Sequence, residues 1–157
     1  TLSDTAWVMR MKIRLDTMSS SSANMQNFTI GLSSTNGAYN TTQDSIGMLI
    51  RADSAGNKYK STWGNDTTQN GNTSNFTRTP SAETIYLEIT RDSATGFTVR
   101  QYSDSDYSTL LESKVVTGVT ATGLQYVKLT TYAEASTNNM VGAITDVKIY
   151  NGVTSIN

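Results

Sequence analysis

The chain has 157 residues, with 12 Lys and Arg against 13 Asp and Glu, no cysteine and no histidine. These numbers rule out a disulfide framework, the commonest metal ligand and the usual neutral-pH general base. A formal charge of −1 gives no net attraction to nucleic acid or to an anionic membrane surface, so neither is an expected partner.

No apolar run is long enough to span a bilayer, so no membrane insertion is expected. The length suits one domain, residues 1–157, with a sizeable core of its own. The sequence starts at Thr1 rather than Met and shows no signal peptide, which gives the expectation of a processed product or a piece of a longer protein. Low charge with heavy use of Ser, Thr, Asn and Gly favours an extracellular location, on a cell or virion surface.

From Trp7 to Leu15 the odd positions are Trp, Met, Met, Ile and Leu, while Arg10, Lys12 and Arg14 fall between them. Successive strand side chains point to opposite faces, so this segment reads as a strand with one oily and one basic face. After a short serine-rich turn, Phe28, Ile30 and Leu32 alternate, closed by Asn36-Gly37. Ile46, Met48 and Ile50 form the next strand. The turn Asp53–Asn57 leads into Lys58–Trp63. The stretch Gly64–Pro80 reads as a long loop without structure, which in a compact domain is usually functional.

Ile85, Leu87 and Ile89 open the second half, and Asp92–Gly96 turns the chain into Phe97–Tyr102. Ser103–Ser108 is a polar loop. Leu110–Val116, Leu124–Tyr132 and Val141–Tyr150 supply the remaining strands. Nine or ten short strands with a single proline predict an all-β fold, an antiparallel two-sheet β-sandwich or jelly roll.

The order of these pieces resembles the concanavalin A-like (laminin-G-like) jelly-roll superfamily. The resemblance is carried by TAWVMRMKIRLD, by YLEITRDSATGFTVRQYSDSDYST and by VGAITDVKIYNG. In that superfamily a Trp-initiated strand lies near a terminal strand of the form G-x-[IL]-x-D-[VL]-x-[IL]-[YF]-N. Here that ending is Gly142-Ala-Ile-Thr-Asp146-Val-Lys-Ile-Tyr-Asn151. The resemblance implies architecture more than activity.

Hydrolases on that fold carry closely spaced carboxylates that flank the scissile bond. The nearest pair here, Glu83 and Glu88, has odd spacing and falls on opposite faces of one strand. With no His, no Cys and no nucleophile elbow, no enzyme is expected and no catalytic residue is assigned.

Asp104 and Asp106 alternate with serines in a loop, and calcium is the cofactor such oxygen ligands would hold. The competing reading is a turn in which Asp bonds its own backbone. Tyr59 and Trp63 share one strand face, beside the Asn65–Asn75 loop and with Tyr39 in another loop, which suits a sugar-binding site of Tyr39, Tyr59, Trp63 and Asn65. The competing reading places the aromatics in the core.

The basic stripe Arg10, Lys12, Arg14 reads as a solvated face near Asp146 and Lys148. It lacks the interleaved aromatics of a nucleic-acid platform. Five sequons stand at Asn27, Asn40, Asn65, Asn72 and Asn75, of which about four would arise by chance in so polar a chain.

The expectation is a non-catalytic module that recognises a glycan or surface polymer. The alternative is a structural building block of a filament, adhesin or virion, with copies of itself or its parent protein as partners.

Overall fold

The alternating first segment becomes an inner strand of a five-stranded sheet, and its oily face becomes one wall of the core. The computed structural model describes residues 1–19, 26–36, 43–52, 57–66, 69–72, 74–133 and 139–156. Its strands are β1 Trp7–Ser19, β2 Gln26–Ser33, β3 Ser45–Ala52, β4 Lys58–Asp66 and β5 Gln69–Asn72, then β6 Glu83–Ser93, β7 Gly96–Tyr102, β8 Leu110–Thr117, β9 Tyr126–Ala133 and β10 Asn139–Asn151. The first sheet has the order β10-β1-β6-β7-β8 and the second β5-β4-β3-β2-β9. Every named strand pair is antiparallel. The fold is an all-β, two-sheet sandwich.

The core follows the period-two pattern. Trp7, Met9, Met11, Ile13 and Leu15 meet Ile85, Leu87, Ile89, Phe97 and Val99 within the first sheet and face Ile30, Leu32, Ile46, Met48 and Ile50 from the second. Each such side chain contributes about 1.5–3 kcal/mol by leaving water. The terminal strand pairs with the first, Trp7 opposite Asn151 and Ile13 opposite Ile144.

Part of the stretch expected as a structureless loop is a hairpin. β4 runs on to Asp66, and β5 folds back with Asn72 opposite Gly64 and Gln69 opposite Asp66. The hairpin is built on backbone pairing and has no apolar alternation to announce it. Its return is anchored by buried Phe76, whose N–H donates to the Lys60 carbonyl at 2.8 Å.

The strand expected from Leu124 begins at Tyr126. Before it, residues 118–125 cross from the β8 edge of the first sheet to β9 at the far edge of the second. Val119, Ala121 and Leu124 on this strap are buried. Between them, Thr120 gives its N–H and hydroxyl to Asp66, and Thr122 does the same to Asp44. The Gly123 N–H donates to Asp4. Beneath, the fully buried Arg91 donates to the carbonyls of Asp4, Ala94, Val119 and Ala121. Desolvation lowers the pKa of Arg91, opposed by the charges of Asp4, Asp92 and Asp44.

Candidate functional site

The outward positions of the first sheet form cross-strand rows. One row runs Lys148, Arg10, Glu88, Arg100; the next holds Lys12, Tyr86 and Tyr102. Glu88 is buried in the first row. Arg10 Nε donates to its Oε2 at 2.8 Å, and an Arg100 nitrogen donates to its Oε1 at 3.2 Å. Arg100 also bonds the Thr90 hydroxyl, and Arg10 bonds the Ile156 carbonyl. The stripe expected to be a solvated face is therefore corrected at Arg10, whose side chain is only 15% exposed. Arg14 fits the expectation: it stays in solvent, paired with Asp16.

Tyr107 roofs this row. Its ring lies 4.3 Å from the Arg10 guanidinium carbon and meets Tyr86 and Tyr102 edge-on, with centroids 6.0 and 5.5 Å away. Its hydroxyl reaches the Met11 carbonyl at 3.4 Å. Burial pushes the Tyr107 phenol up to about 12, and burial followed by the Glu88 charge raises Tyr102 as well. Both stay protonated donors across the ordinary pH range.

Asp104 sets the turn that delivers Tyr107. One carboxylate oxygen accepts from the N–H groups of Asp106 and Ser108 and from the Ser108 hydroxyl; the other accepts from the Thr109 N–H at 2.7 Å. Hydrogen bonds, led by that from the Ser108 backbone, hold the carboxyl at about 2. Tyr107 takes a left-handed backbone, φ 56°, which the anchored turn stabilises against its usual cost. Of the two readings of Asp104, calcium ligand beside Asp106 or turn, the turn is the one formed, with both oxygens accepting from it. Among the described residues no three His, Cys, Asp or Glu are grouped to hold a metal ion.

Beside the tyrosine roof runs a groove of about 350 Å³, walled by Tyr86, Tyr107 and Tyr150 and charged by Lys12, Lys148, Asp106 and Asp146. Asp146 sits at a bulge where the β1–β10 register shifts, with φ 56°; bulges re-aim side chains in this way. Lys12 and Lys148 have no ion-pair partner among the described residues. The groove offers two ammonium donors, two carboxylate acceptors and three aromatic rings.

Of the expected sugar site, Asn65 is withdrawn by burial. Tyr59 and Trp63 do share a face, but it is the outer face of the second sheet, on the other side of the sandwich from this groove. Neither is a core residue. The Trp63 ring nitrogen donates to the Ser45 hydroxyl, and Tyr59 lies 5.4 Å from the Arg51 guanidinium carbon. Tyr39 lies outside the described residues. Asn65 is fully buried and donates to the Gln43 carbonyl, so in the folded chain it is open neither to ligand nor to glycan. Of the other sequons, Asn40 lies outside the described residues, Asn27 and Asn72 are in strands, and Asn75 is exposed. Glu83 and Glu88 do fall on opposite faces of β6: Glu83 pairs with Lys60 inside, Glu88 with Arg10 outside.

The tyrosines were missed because their signal is not local. Tyr86, Tyr102 and Tyr150 each occupy an ordinary outward position on a strand. Only the register brings them beside the stripe and supplies the aromatic neighbours it lacks in one dimension.

No family model and no curated protein matches the chain. Among solved structures it is similar to scytalido-glutamic peptidase, determined with a transition state analog inhibitor. The two share 12% identity with a TM-score of 0.58, over 99% of this chain and 80% of that one. At that identity the likeness is one of fold. It still overturns two expectations, that the chain is no enzyme and that it is a non-catalytic glycan-recognising or structural module. Absent His, Cys and paired carboxylates do not exclude an enzyme on this sandwich, since a glutamic peptidase shares it.

Proposed function

We propose that the groove on the outer face of the first sheet binds an extended polypeptide segment. The observation that carries this is the combination of three tyrosine walls with two lysines and two aspartates of opposite sign in one furrow. A peptide has the matching parts: carbonyls for ammonium groups, N–H groups for carboxylates and side chains for rings. The fold shared with a peptidase supports the same ligand class. The pairing of the Trp7 strand with the Gly142–Asn151 strand supports a concanavalin A-like frame, and the hydroxyl-rich composition supports an extracellular setting.

A second reading, hydrolysis of the bound segment, is favoured by Glu88, a buried carboxylate in the row beside the groove. Its two oxygens accept from Arg10 and Arg100, and it is placed to take a proton from an attacking water once Arg10 swings to a ligand.

The test is a screen of a mixed peptide pool for retention and, by mass spectrometry, for cleavage between pH 3 and 7. Lys148→Ala and Tyr86→Ala are expected to weaken retention about tenfold, while Trp63→Ala leaves it unchanged. Cleavage lost in Glu88→Gln with retention intact supports hydrolysis. No retained peptide, or retention indifferent to Lys148 and Tyr86, overturns the reading of the groove.

A further inference from the structure

The four sheet edges are not alike. β10 carries two register shifts against β1, one of them at the left-handed Asp146. The β7–β8 pairing is shifted at Gln101 and Tyr102, and β5 is four residues long beside a shift in β4. Bulges and short strands are the usual protection of an edge against other chains. β9 has neither: its eight residues pair with β2 in unbroken register, and among the described strands none pairs with its other side.

The exposed side chains of β9 are apolar in the direction where they should be covered. Val127 and Leu129 stand opposite Leu32 and Ile30 of the core face, yet they are 43% and 46% exposed. Among the described residues nothing covers the sandwich on this side. An apolar cavity of about 200 Å³ lies between the sheets here, lined by Ile13, Leu15, Phe28, Ile50, Met140 and Ile144, with Thr131 of β9 at its rim.

We propose that β9 pairs antiparallel with β9 of a second copy about a two-fold axis at Leu129, joining the two second sheets into one. The side-chain pattern selects both the partner and the register. Opposite residues share a face, so centring on Leu129 sets Leu129 against itself, Val127 against Thr131 and Lys128 against Thr130. Centring on Lys128 would oppose two like charges, and centring on Thr130 would separate the leucines. The same patch on both partners is what a two-fold contact requires.

The chain has no cysteine, so a single introduced thiol reports the contact cleanly. Opposed residues across an antiparallel pair have Cα atoms about 4.5–5.5 Å apart, within reach of a disulfide. Leu129→Cys is expected to cross-link under mild oxidation at least tenfold faster than Val115→Cys on the shifted β8 edge. The wild-type chain is expected to sediment as a concentration-dependent dimer whose dissociation constant rises at least tenfold in Leu129→Asp. Thermal melts of each variant confirm that it is folded. A wild type that stays monomeric up to millimolar concentration, a dimer insensitive to Leu129→Asp, or cross-linking at Leu129 no faster than at Val115 overturns the proposal. A pairing by β9 with some other chain would show as that same monomer.

Discussion

Lys60 and Glu83 form an ion pair, at 2.7 Å, that joins the two sheets from the inside: Lys60 comes from β4 and is 1% exposed, and Glu83 comes from β6. Lys60 points inward because it shares a face with Thr62 and Gly64, opposite Ile50, Met48 and Ile46. Glu83 is also met by Arg78 from the rim.

Removing one member of such a pair should cost more than replacing the interaction with apolar contact. Lys60→Ala is expected to lose about 3–5 kcal/mol, because it leaves a largely buried carboxylate short of its partner. The double variant Lys60→Met/Glu83→Leu should lose far less. Urea denaturation of the three chains decides between this and a pair of no consequence, in which all three would share one midpoint.

The strap across the sandwich end rests on Arg91. Arg91→Met keeps much of the stem but strips four carbonyls of their donor, those of Val119 and Ala121 being buried. A loss of about 2–6 kcal/mol is expected, since each unpaired buried group costs about 1–3. Hydrogen exchange should quicken first at residues 119–124. Uniform acceleration over both sheets would argue against a local clamp.

Gly31 and Gly47 face one another across β2 and β3. A Cβ on Gly47 would stand 2.1 Å from the Ile30 carbonyl oxygen and 2.9 Å from the Gly31 Cα. Backbone cannot yield as a side-chain tip can, so Gly47→Ala is expected to cost about 3 kcal/mol, the upper range for overpacking. Gly123→Ala meets open space at φ +65° and should cost only about 1–2 kcal/mol, from its left-handed backbone. Equal denaturation midpoints for the two variants would sink this account.

Asp104 predicts a pH dependence with a definite sign. Its carboxyl is held at about 2 against an ordinary 3.8. A depressed carboxyl stabilises the folded chain fully above the unfolded value and ceases to do so as pH falls through the folded one. The stability gap between wild type and Asp104→Ala should therefore be constant near neutrality and shrink between about pH 4 and 2. Melting curves across that range measure it. Because the turn also presents Tyr107, the same variant should weaken peptide retention at pH 7.

Much of the fold was legible because period-two burial is a local property. Trp7–Leu15, Ile46–Ile50 and Ile85–Ile89 declare both their strand state and their inner face. That Lys58 and Lys60 lie on the face opposite Tyr59 and Trp63 was legible in the same way; that this face is the inner one was not. What stayed hidden depends on register or on backbone. The turn-back of β4 into β5, Gly64–Asn72, carries no apolar side chain, and the strap's threonines gain meaning only once Asp44 and Asp66 accept from them. The groove needs β10, β1, β6 and the Asp104 turn together, so no window of sequence contains it. Asn65 was misread because a polar residue near a loop can serve the backbone as well as a ligand, the choice that stood open at Asp104.

The neighbours of β1 also set an order of events. Its partner β6 is made some 75 positions later, and its other partner β10 only after about 130. Of the described strands the first to be made is thus the last inner one to have both its flanks covered. A nascent or truncated chain lacking β10 would hold Trp7–Leu15 in a sheet with a bare margin and the apolar cavity beside it laid open. Such a chain would present an unpaired strand edge prone to pairing with other chains.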